Sequence, residues 1–159
     1  GARLPITGCR AAAFRGQLRP TQIDARDIPD LCRVVAAVPA AIPGTTTIAG
    51  AARLRLKESD RLATTAHTLR ALGAQVEERG DGLVIQGRCP LRGGTVDAAG
   101  DHRIAMAAAV AAGACEAPVT ITGAQAVDKS YPAFWRDLAA LGQGVEGADA
   151  PCRMAPDLS

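Results

Sequence analysis

Length, composition and charge already exclude several classes of protein. The 159 residues include 48% hydrophobic and 21% charged side chains, which is typical of one globular domain or of part of a larger one. A formal net charge of +2 without a basic tract gives no indication of nucleic acid binding, and no apolar run is long enough to span a membrane.

The cysteines indicate an environment that keeps thiols reduced. None of the five belongs to a C-x-x-C pair, which would suggest a zinc site or a redox motif. An odd and scattered set is typical of a cytosolic protein, and we expect a cytoplasmic protein of bacterial type. The five residues are Cys9, Cys32, Cys89, Cys115 and Cys152.

The first predicted elements lie near the start of the chain. Residues 1–23 contain what look like remnants of strands, and we expect them to be the end of a preceding unit. Residues 27–44 predict an Ala/Val-rich helix that begins at an aspartate cap and that Pro39 ends or kinks. A strand follows at residues 45–50.

A second helix and a hairpin come next. The helix is predicted over residues 59–73, with Ser59 as its N-cap and Gly73 as its end. The strands 74–79 and 83–87 then form a hairpin around the turn 80-GDG-82. The apolar stripe of the helix, at helical spacing, consists of Leu62, Ala66, Leu69 and Leu72.

The same order of elements recurs in the second half of the chain. Asp101 is the candidate cap of another Ala-rich helix, and a Gly/Pro break separates that helix from a strand at residues 118–122. The tail 147–159 contains Pro, Gly and Asp without periodicity, and we expect it to be disordered. A last helix is predicted from Ser130 to Gly142, with Phe134, Leu138 and Leu141 on one face.

This order amounts to an internal repeat of roughly 70 residues. Each unit consists of helix, strand, helix, strand and strand, which predicts an α/β fold with helices packed on mixed sheets. About two units are expected, roughly at residues 24–95 and 96–146.

Charged residues cluster in the loops at corresponding ends of the two units. In 57-KESDR-61 and 100-GDHRIAM-106, cations stand at predicted helix N-termini, where each is unfavourable by about 0.3–1 kcal/mol. The same position suits an anion that also binds the N-terminal amides of the helix. The chain has only two lysines, Lys57 and Lys129, and both lie in equivalent strand-to-helix loops.

Each cluster also has an ordinary explanation. A solvated helix start, a helix cap with incidental basic neighbours, or a solvated loop lysine accounts for each cluster alone. Together, however, the loops predict a site for a phosphate- or carboxylate-bearing small molecule with acid–base chemistry. The residues of this predicted site are Asp30, Lys57, Glu58, Arg61, Asp101, His102, Arg103 and Lys129.

The motifs that carry these residues resemble a known family of enzymes. In order, 28-IPD-30, 57-KESDR-61, 101-DHRIAMA-107 and 129-KSYPAFW-135 are similar to the C-terminal part of 5-enolpyruvylshikimate-3-phosphate synthases. The resemblance implies two similar domains of three βαβαββ units each, so that residues 1–146 would be part of a C-terminal domain.

The resemblance also implies a reaction and roles for single residues. The enolpyruvyl group of phosphoenolpyruvate would be transferred to the 5-hydroxyl of shikimate 3-phosphate, in the biosynthesis of chorismate and the aromatic amino acids, without a metal or an organic cofactor. Arg61, Arg103 and Lys129 would bind phosphoenolpyruvate, and the inhibitor glyphosate would compete for this subsite. Asp101 and His102 would line the same pocket, with His102 counted among the catalytic residues.

Three further residues receive roles in the same way. Asp30 and Lys57 would contact shikimate 3-phosphate near its reacting hydroxyl, with Asp30 as the candidate general base. Glu58 would move protons to and from the methylene carbon as the general acid–base. Pro39 interrupts a segment that is otherwise a continuous helix in the family, which is a departure from the family pattern in the helix that follows Asp30.

The resemblance covers only part of such an enzyme. The N-terminal domain has no counterpart in the 159 residues, so we expect it to be the missing partner and the chain alone to have negligible turnover. Two alternatives stay open. One is a non-catalytic anion-binding or dimerisation module of the same fold, and the other is a sister enolpyruvyl transferase with a nucleotide-sugar acceptor.

Overall fold

The computed structural model of the chain describes residues 3–7, 19–28, 31–56, 60–142 and 144–145. Their strands are β1 (Arg3–Thr7), β2 (Gln22–Asp24), β3 (Gly44–Ala49), β4 (Gln75–Arg79), β5 (Gly82–Gly87), β6 (Gly94–Asp97), β7 (Val119–Thr122) and β8 (Gly144–Val145). Their helices are α1 (Cys32–Ala40), α2 (Arg61–Ala71), α3 (His102–Ala112) and α4 (Phe134–Ala140), with 3-10 helices at Ala52–Leu56 and Ala124–Lys129.

The first sheet has the strand order β2-β3-β5-β4. Strands β2 and β3 are parallel, and α1 forms the crossover that a parallel pair requires. Strand β5 is antiparallel to both β3 and β4, and the β4–β5 hairpin runs in register from Gln75↔Gln86 to Arg79↔Gly82. The predicted hairpin is therefore confirmed.

The second sheet repeats this arrangement with the order β6-β7-β1-β8. Strands β6 and β7 are parallel with α3 as their crossover, and β1 is antiparallel to both β7 and β8. Strand β1 therefore occupies the place that β5 has in the first sheet. We expected residues 1–23 to end a preceding unit; within that range, β1 covers the edge of β7, which would otherwise present unpaired backbone groups.

The core lies between the helices and the two sheets. Helix α1 packs against α2 and α3, and each helix also contacts strands. The predicted apolar stripe of α2 is confirmed, since Leu62, Ala66, Leu69 and Leu72 are all buried. Alanines form much of the buried surface of α3, which allows neighbouring helices to approach closely. None of the described helices is both long and apolar enough to cross a membrane.

The last helix differs from its prediction. It begins at Phe134 rather than Ser130, because the preceding backbone forms the 3-10 helix that Ser130 ends, and Pro132 disfavours helical geometry in the residue before it. The predicted place of Leu141 on the apolar face is wrong, since Leu141 is 82% exposed. Trp135 is buried beside Leu138 instead.

Candidate active site

The start of α3 is defined by Asp101. Its carboxylate Oδ1 accepts a hydrogen bond from the backbone N–H of Arg103 at 2.9 Å, which confirms the predicted N-cap. Ala99 and Gly100, with φ of 50° and 71°, turn the chain from β6 into this helix. His102 and Arg103 consequently lie in the first turn of α3, where both are half-buried.

The start of α2 is capped in a similar way by Asp60. Its Oδ1 accepts hydrogen bonds from the backbone N–H groups of Leu62 at 3.1 Å and Ala63 at 3.0 Å. The pKa of the Asp60 carboxyl lies below its usual range, and the main cause is the hydrogen bond from the N–H of Ala63. Asp60 is therefore the cap, whereas Ser59, the predicted cap, lies outside the described residues. Arg61 is the first residue of the helix and is half-buried.

Arg55 connects this helix start to the β4–β5 hairpin. Its Nη1 binds the Oδ2 of Asp60 at 2.6 Å, and its Nη2 and Nε donate to the carbonyl oxygens of Arg79 at 2.6 Å and Gly80 at 3.1 Å. Arg55 and Asp60, two of the charges around 57-KESDR-61, therefore have structural partners that account for them.

A buried arginine joins α1 to the start of α3. The side chain of Arg33 is 1% exposed, and its Nη1 forms an ion pair with the Oδ2 of Asp101. Its Nε and Nη2 are also buried and have no hydrogen-bond partner among the described residues. Buried donors without a partner are rare, so Arg33 requires an explanation.

The charges of three arginines act on one another at this position. Burial is the main reason that the pKa of Arg33 lies below its usual range, and the positive charges of Arg61 and Arg103 lower it further. The carboxylate of Asp101 opposes this shift. Arg61 and Arg103 lie in the first turns of α2 and α3, and cations at helix N-termini are suited to bind an anion.

Sequence reasoning missed Arg33, although a signal was present. The buried face of α1 includes Ala36, Ala37 and Ala40, and Arg33 precedes them at helical spacing. A charged residue on an otherwise apolar face needs a partner inside the protein, which is what Asp101 provides.

The structure locates only part of the predicted site. Asp101 binds Arg33, the charges of Arg61 and Arg103 act on Arg33, and His102 lies between Asp101 and Arg103 in the first turn of α3. Lys129 is exposed at the end of the 3-10 helix Ala124–Lys129, which packs against α3. The predicted residues that lie outside the described part of the chain are Asp30, Lys57 and Glu58.

An open cleft of about 580 Å³ lies elsewhere, at the C-terminal end of α2. Gly73, Arg88 and Arg92 are among the residues that line it, and none of the predicted site residues is. Helix α2 therefore separates this cleft from the charged cluster at its N-terminal end.

A comparison with known protein families finds one family that matches most of the chain. A family model described as EPSP synthase (3-phosphoshikimate 1-carboxyvinyltransferase) matches residues 7–138. The chain belongs to the EPSP synthase family.

Two relatives in this family are about half identical to this chain over most of its length. The 3-phosphoshikimate 1-carboxyvinyltransferase of Clostridium acetobutylicum is 54% identical over 123 residues, which cover 77% of this chain and 29% of the relative. The enzyme of the same name from Methanocella arvoryzae is 50% identical over 131 residues, which cover 82% of this chain and 31% of the relative. The chain thus spans about three tenths of the length of these relatives, 29% and 31%.

Solved structures of enolpyruvyl transferases share the fold. EPSP synthase from Acinetobacter baumannii has a TM-score of 0.65 and 32% identity, over 74% of this chain and 28% of that one. The enolpyruvyl transferase NikO from Streptomyces tendae also has a TM-score of 0.65, with 26% identity over 80% of this chain and 29% of that one. The α/β fold with helices packed on mixed sheets is therefore that of the enolpyruvyl transferases.

Proposed function

We propose that this chain is part of the C-terminal domain of an enzyme that transfers the enolpyruvyl group of phosphoenolpyruvate to the 5-hydroxyl of shikimate 3-phosphate. The observation that carries the proposal is the family match over residues 7–138, which includes Arg61 and Arg103 in the first turns of α2 and α3. Phosphoenolpyruvate is a small and highly charged anion, and the family to which the chain belongs supplies the reaction.

The described residues would bind phosphoenolpyruvate. The guanidinium groups of Arg61 and Arg103 have a planar fork that matches carboxylate and phosphate oxygens, and Lys129 would add a third, compact charge. Asp101 holds the first turn of α3, which presents Arg103. His102, in the same turn, would line the pocket and can donate a hydrogen bond or a proton.

Three residues outside the described part of the chain would act on the acceptor and on the protons. Asp30 would take the proton of the 5-hydroxyl while that oxygen adds to C2 of phosphoenolpyruvate, and Lys57 would hold the acceptor beside it. Glu58 would give a proton to C3, which yields a tetrahedral ketal. Removal of a C3 proton and departure of phosphate from C2 then restore the double bond.

The proposal includes an N-terminal domain as the partner of this chain. Closure of two domains over the substrates excludes water and completes the anion site, so the 159-residue chain alone should show negligible turnover. Steady-state turnover by the isolated chain would contradict this part of the proposal.

A chimera tests the proposed reaction. The matched segment of the Clostridium acetobutylicum relative, 54% identical over 123 residues, is replaced by the segment of this chain. We expect phosphate release that requires both phosphoenolpyruvate and shikimate 3-phosphate. Glu58→Gln in the chimera should abolish turnover and leave phosphoenolpyruvate binding largely intact. A folded chimera without turnover would support a non-catalytic anion-binding or dimerisation module instead, whereas an unaffected Glu58→Gln variant would contradict the acid–base role proposed for Glu58.

A sister enolpyruvyl transferase with a nucleotide-sugar acceptor is the second candidate function. The structure of NikO, another enolpyruvyl transferase, has the same TM-score of 0.65 as that of the Acinetobacter baumannii EPSP synthase. The fold therefore supports an enolpyruvyl transferase without identifying its acceptor. Assaying the chimera with shikimate 3-phosphate and with a nucleotide sugar in parallel would identify the acceptor that this segment accepts.

A further inference from the structure

The open cleft at the C-terminal end of α2 is lined by arginines and, within the described part of the chain, by no acidic residue. Its volume is about 580 Å³, which suits a small molecule rather than a single ion. The arginines are Arg70, Arg88 and Arg92.

Arg70 is already neutralised by the fold. Its Nη1 binds Oε1 of Glu78 at 2.8 Å, and its Nε and Nη2 donate to the carbonyl oxygen of Val76 at 3.0 and 2.6 Å. A basic residue in the last turn of a helix also complements the helix dipole. These contacts account for Arg70, so the charges that need an explanation are those of Arg88 and Arg92.

Arg92 has a fixed base and an available guanidinium group. Its backbone N–H donates to the carbonyl oxygen of Leu72 at 2.9 Å. Its side-chain carbons lie against Gly73, where an added Cβ would come to 3.0 Å from Cγ of Arg92. Arg92 is exposed, and its guanidinium group has no hydrogen-bond or ion-pair partner among the described residues. The position of Arg92 is therefore held at the cleft while its charge stays unpaired.

Arg88 supplies a second guanidinium group. Its backbone N–H donates to the carbonyl oxygen of Ala40 at 2.9 Å, and its Nε donates to the carbonyl oxygen of Pro90 at 3.1 Å. Its Nη1 and Nη2 have no partner in the part of the chain that the structure describes. Guanidinium groups with unpaired N–H groups bind phosphate and carboxylate oxygens well, because their planar fork matches two oxygens at once.

The end of α2 opposes an anion only weakly, because carbonyl groups of its last turn are occupied. The carbonyl oxygen of Leu72 accepts the hydrogen bond of the Arg92 backbone N–H. That of Leu69 accepts a hydrogen bond from the backbone N–H of Ala74 at 3.0 Å. Carbonyl groups that are bonded in this way contribute less negative charge to the cleft than the open end of a helix would.

Two glutamines add neutral polar groups to the cleft. Gln75 and Gln86 are directly opposite each other in the β4–β5 hairpin, so their side chains are neighbours on one face of the sheet. Both are exposed and both line the cleft. A side-chain amide can donate and accept hydrogen bonds, which suits the hydroxyl groups of a ligand.

The charges outside the cleft favour a small ligand over an extended polyanion. Glu77 is exposed on β4, two residues from Gln75. Glu116 is also exposed, and its backbone N–H donates to the carbonyl oxygen of Leu91, the neighbour of Arg92. A nucleic acid or an acidic peptide that reached the cleft would be repelled by these carboxylates.

We propose that this cleft binds a phosphate monoester of a small polyhydroxylated molecule, such as a sugar phosphate. Arg88 and Arg92 bind the phosphate group, and Gln75 and Gln86 bind hydroxyl groups. A phosphate monoester carries about 1.5 to 2 negative charges at neutral pH, which two guanidinium groups balance. The cleft shares no residue with the proposed phosphoenolpyruvate subsite, and the inference does not depend on the proposed reaction.

Titration of ribose 5-phosphate into the full chain tests the proposal. The backbone amide shifts of Gly73, Gln86 and Arg92, followed by NMR, report on this cleft and not on the starts of α2 and α3. Ribose and inorganic phosphate are titrated in parallel, since each lacks one half of the ligand. The variants are Arg88→Gln and Arg92→Gln. Arg53→Gln is the matched control, because Arg53 is exposed and has no partner among the described residues but does not line the cleft.

The proposal predicts saturable shifts of these amides with ribose 5-phosphate, at lower concentration than with inorganic phosphate or ribose. Arg88→Gln and Arg92→Gln should each weaken the binding by about fivefold, the effect of one unit charge at about 4 Å in water. Arg53→Gln should leave the affinity unchanged. If one of the two cleft variants does not fold, the other decides, because each removes one of the two proposed phosphate ligands.

Several results would overturn the proposal. They are amides that show no saturable shift, ribose that binds as tightly as ribose 5-phosphate, and folded cleft variants that bind as tightly as the unmodified chain. Inorganic phosphate that binds as tightly as ribose 5-phosphate would contradict the assignment of Gln75 and Gln86 to hydroxyl groups. Turnover is not needed for this test, so an inactive chimera would reject only the proposed reaction.

Discussion

Arg33 in α1 binds Asp101, the N-cap of α3, across 68 positions of the sequence. This ion pair connects a helix between two strands of the first sheet to the start of a helix between two strands of the second. The same carboxylate also caps α3, so one side chain links the packing of α1 to the position of the first turn of α3.

Removing Asp101 should lower the free energy of unfolding more than removing Arg33. Asp101→Ala leaves the buried guanidinium group of Arg33 without a counter-charge, at a cost of about 3–5 kcal/mol, and also removes a helix cap. Arg33→Met places an apolar side chain in the core and leaves a carboxylate that water can reach, which should change stability by about 1 kcal/mol. Urea denaturation measures both, and an equal or reversed order would contradict the burial of Arg33.

Asp60→Asn should make stability less dependent on pH in acid. The pKa of Asp60 is lowered in the folded chain, so its stabilising effect is complete above the pKa of the unfolded chain and is lost as the pH falls through the folded pKa. Asparagine caps the helix without titrating. The stability difference between the unmodified chain and Asp60→Asn should therefore decrease below about pH 4.

Thermal unfolding between neutral pH and about pH 3 would measure this difference. A difference that stays constant over this range would exclude Asp60 as the titrating cap.

Gly82→Ala should destabilise the first sheet, whereas Gly80→Ala should not. A Cβ at Gly82 would lie 1.8 Å from the carbonyl oxygen of Ile48, and β3 cannot move away without breaking its pairing with β5. We expect a loss of about 1–3 kcal/mol or more. A Cβ at Gly80 meets nothing within 4 Å, so that variant should stay within about 0.5 kcal/mol. Equal urea midpoints for the two variants would contradict this packing.

Arg103→Lys in the chimera should raise the KM for phosphoenolpyruvate. Lysine keeps the charge but loses the planar fork that binds two oxygens at once. We expect kcat/KM to fall by about tenfold to a hundredfold, mostly through KM, in a steady-state assay with varied phosphoenolpyruvate. Arg26→Lys is the control. An unchanged KM would remove Arg103 from the proposed subsite.

The thiols of Cys89 and Cys115 should differ in reactivity. Burial raises the pKa of Cys115 to about 11, so only about one thiol in ten thousand is ionised at neutral pH, whereas Cys89 is exposed. Alkylation with iodoacetamide, followed peptide by peptide with mass spectrometry, should modify Cys89 well before Cys115. Similar rates for the two peptides would show that Cys115 is accessible and ionised.

Local patterns in the sequence were sufficient to predict most of the helices and strands. Helix α2, the β4–β5 hairpin and strand β7 lie close to where periodicity and turn residues predict them, because short-range spacing determines which face is apolar. The predicted start of α4 at Ser130 was wrong, because Ser130 ends the 3-10 helix Ala124–Lys129 and α4 begins only at Phe134. The roles of Asp30, Lys57 and Glu58 stay predictions.

The sequence by itself determined the repeated order of helices and strands and placed Arg61, Asp101 and Arg103 at helix starts, because helical periodicity and capping are local properties. Only the tertiary structure decided that β1 pairs with β7 and β8, and that Arg33 binds Asp101. Both relationships join residues that are far apart in the chain. Which edge is covered and which charge is neutralised depend on how the packed elements meet, and no local pattern encodes that.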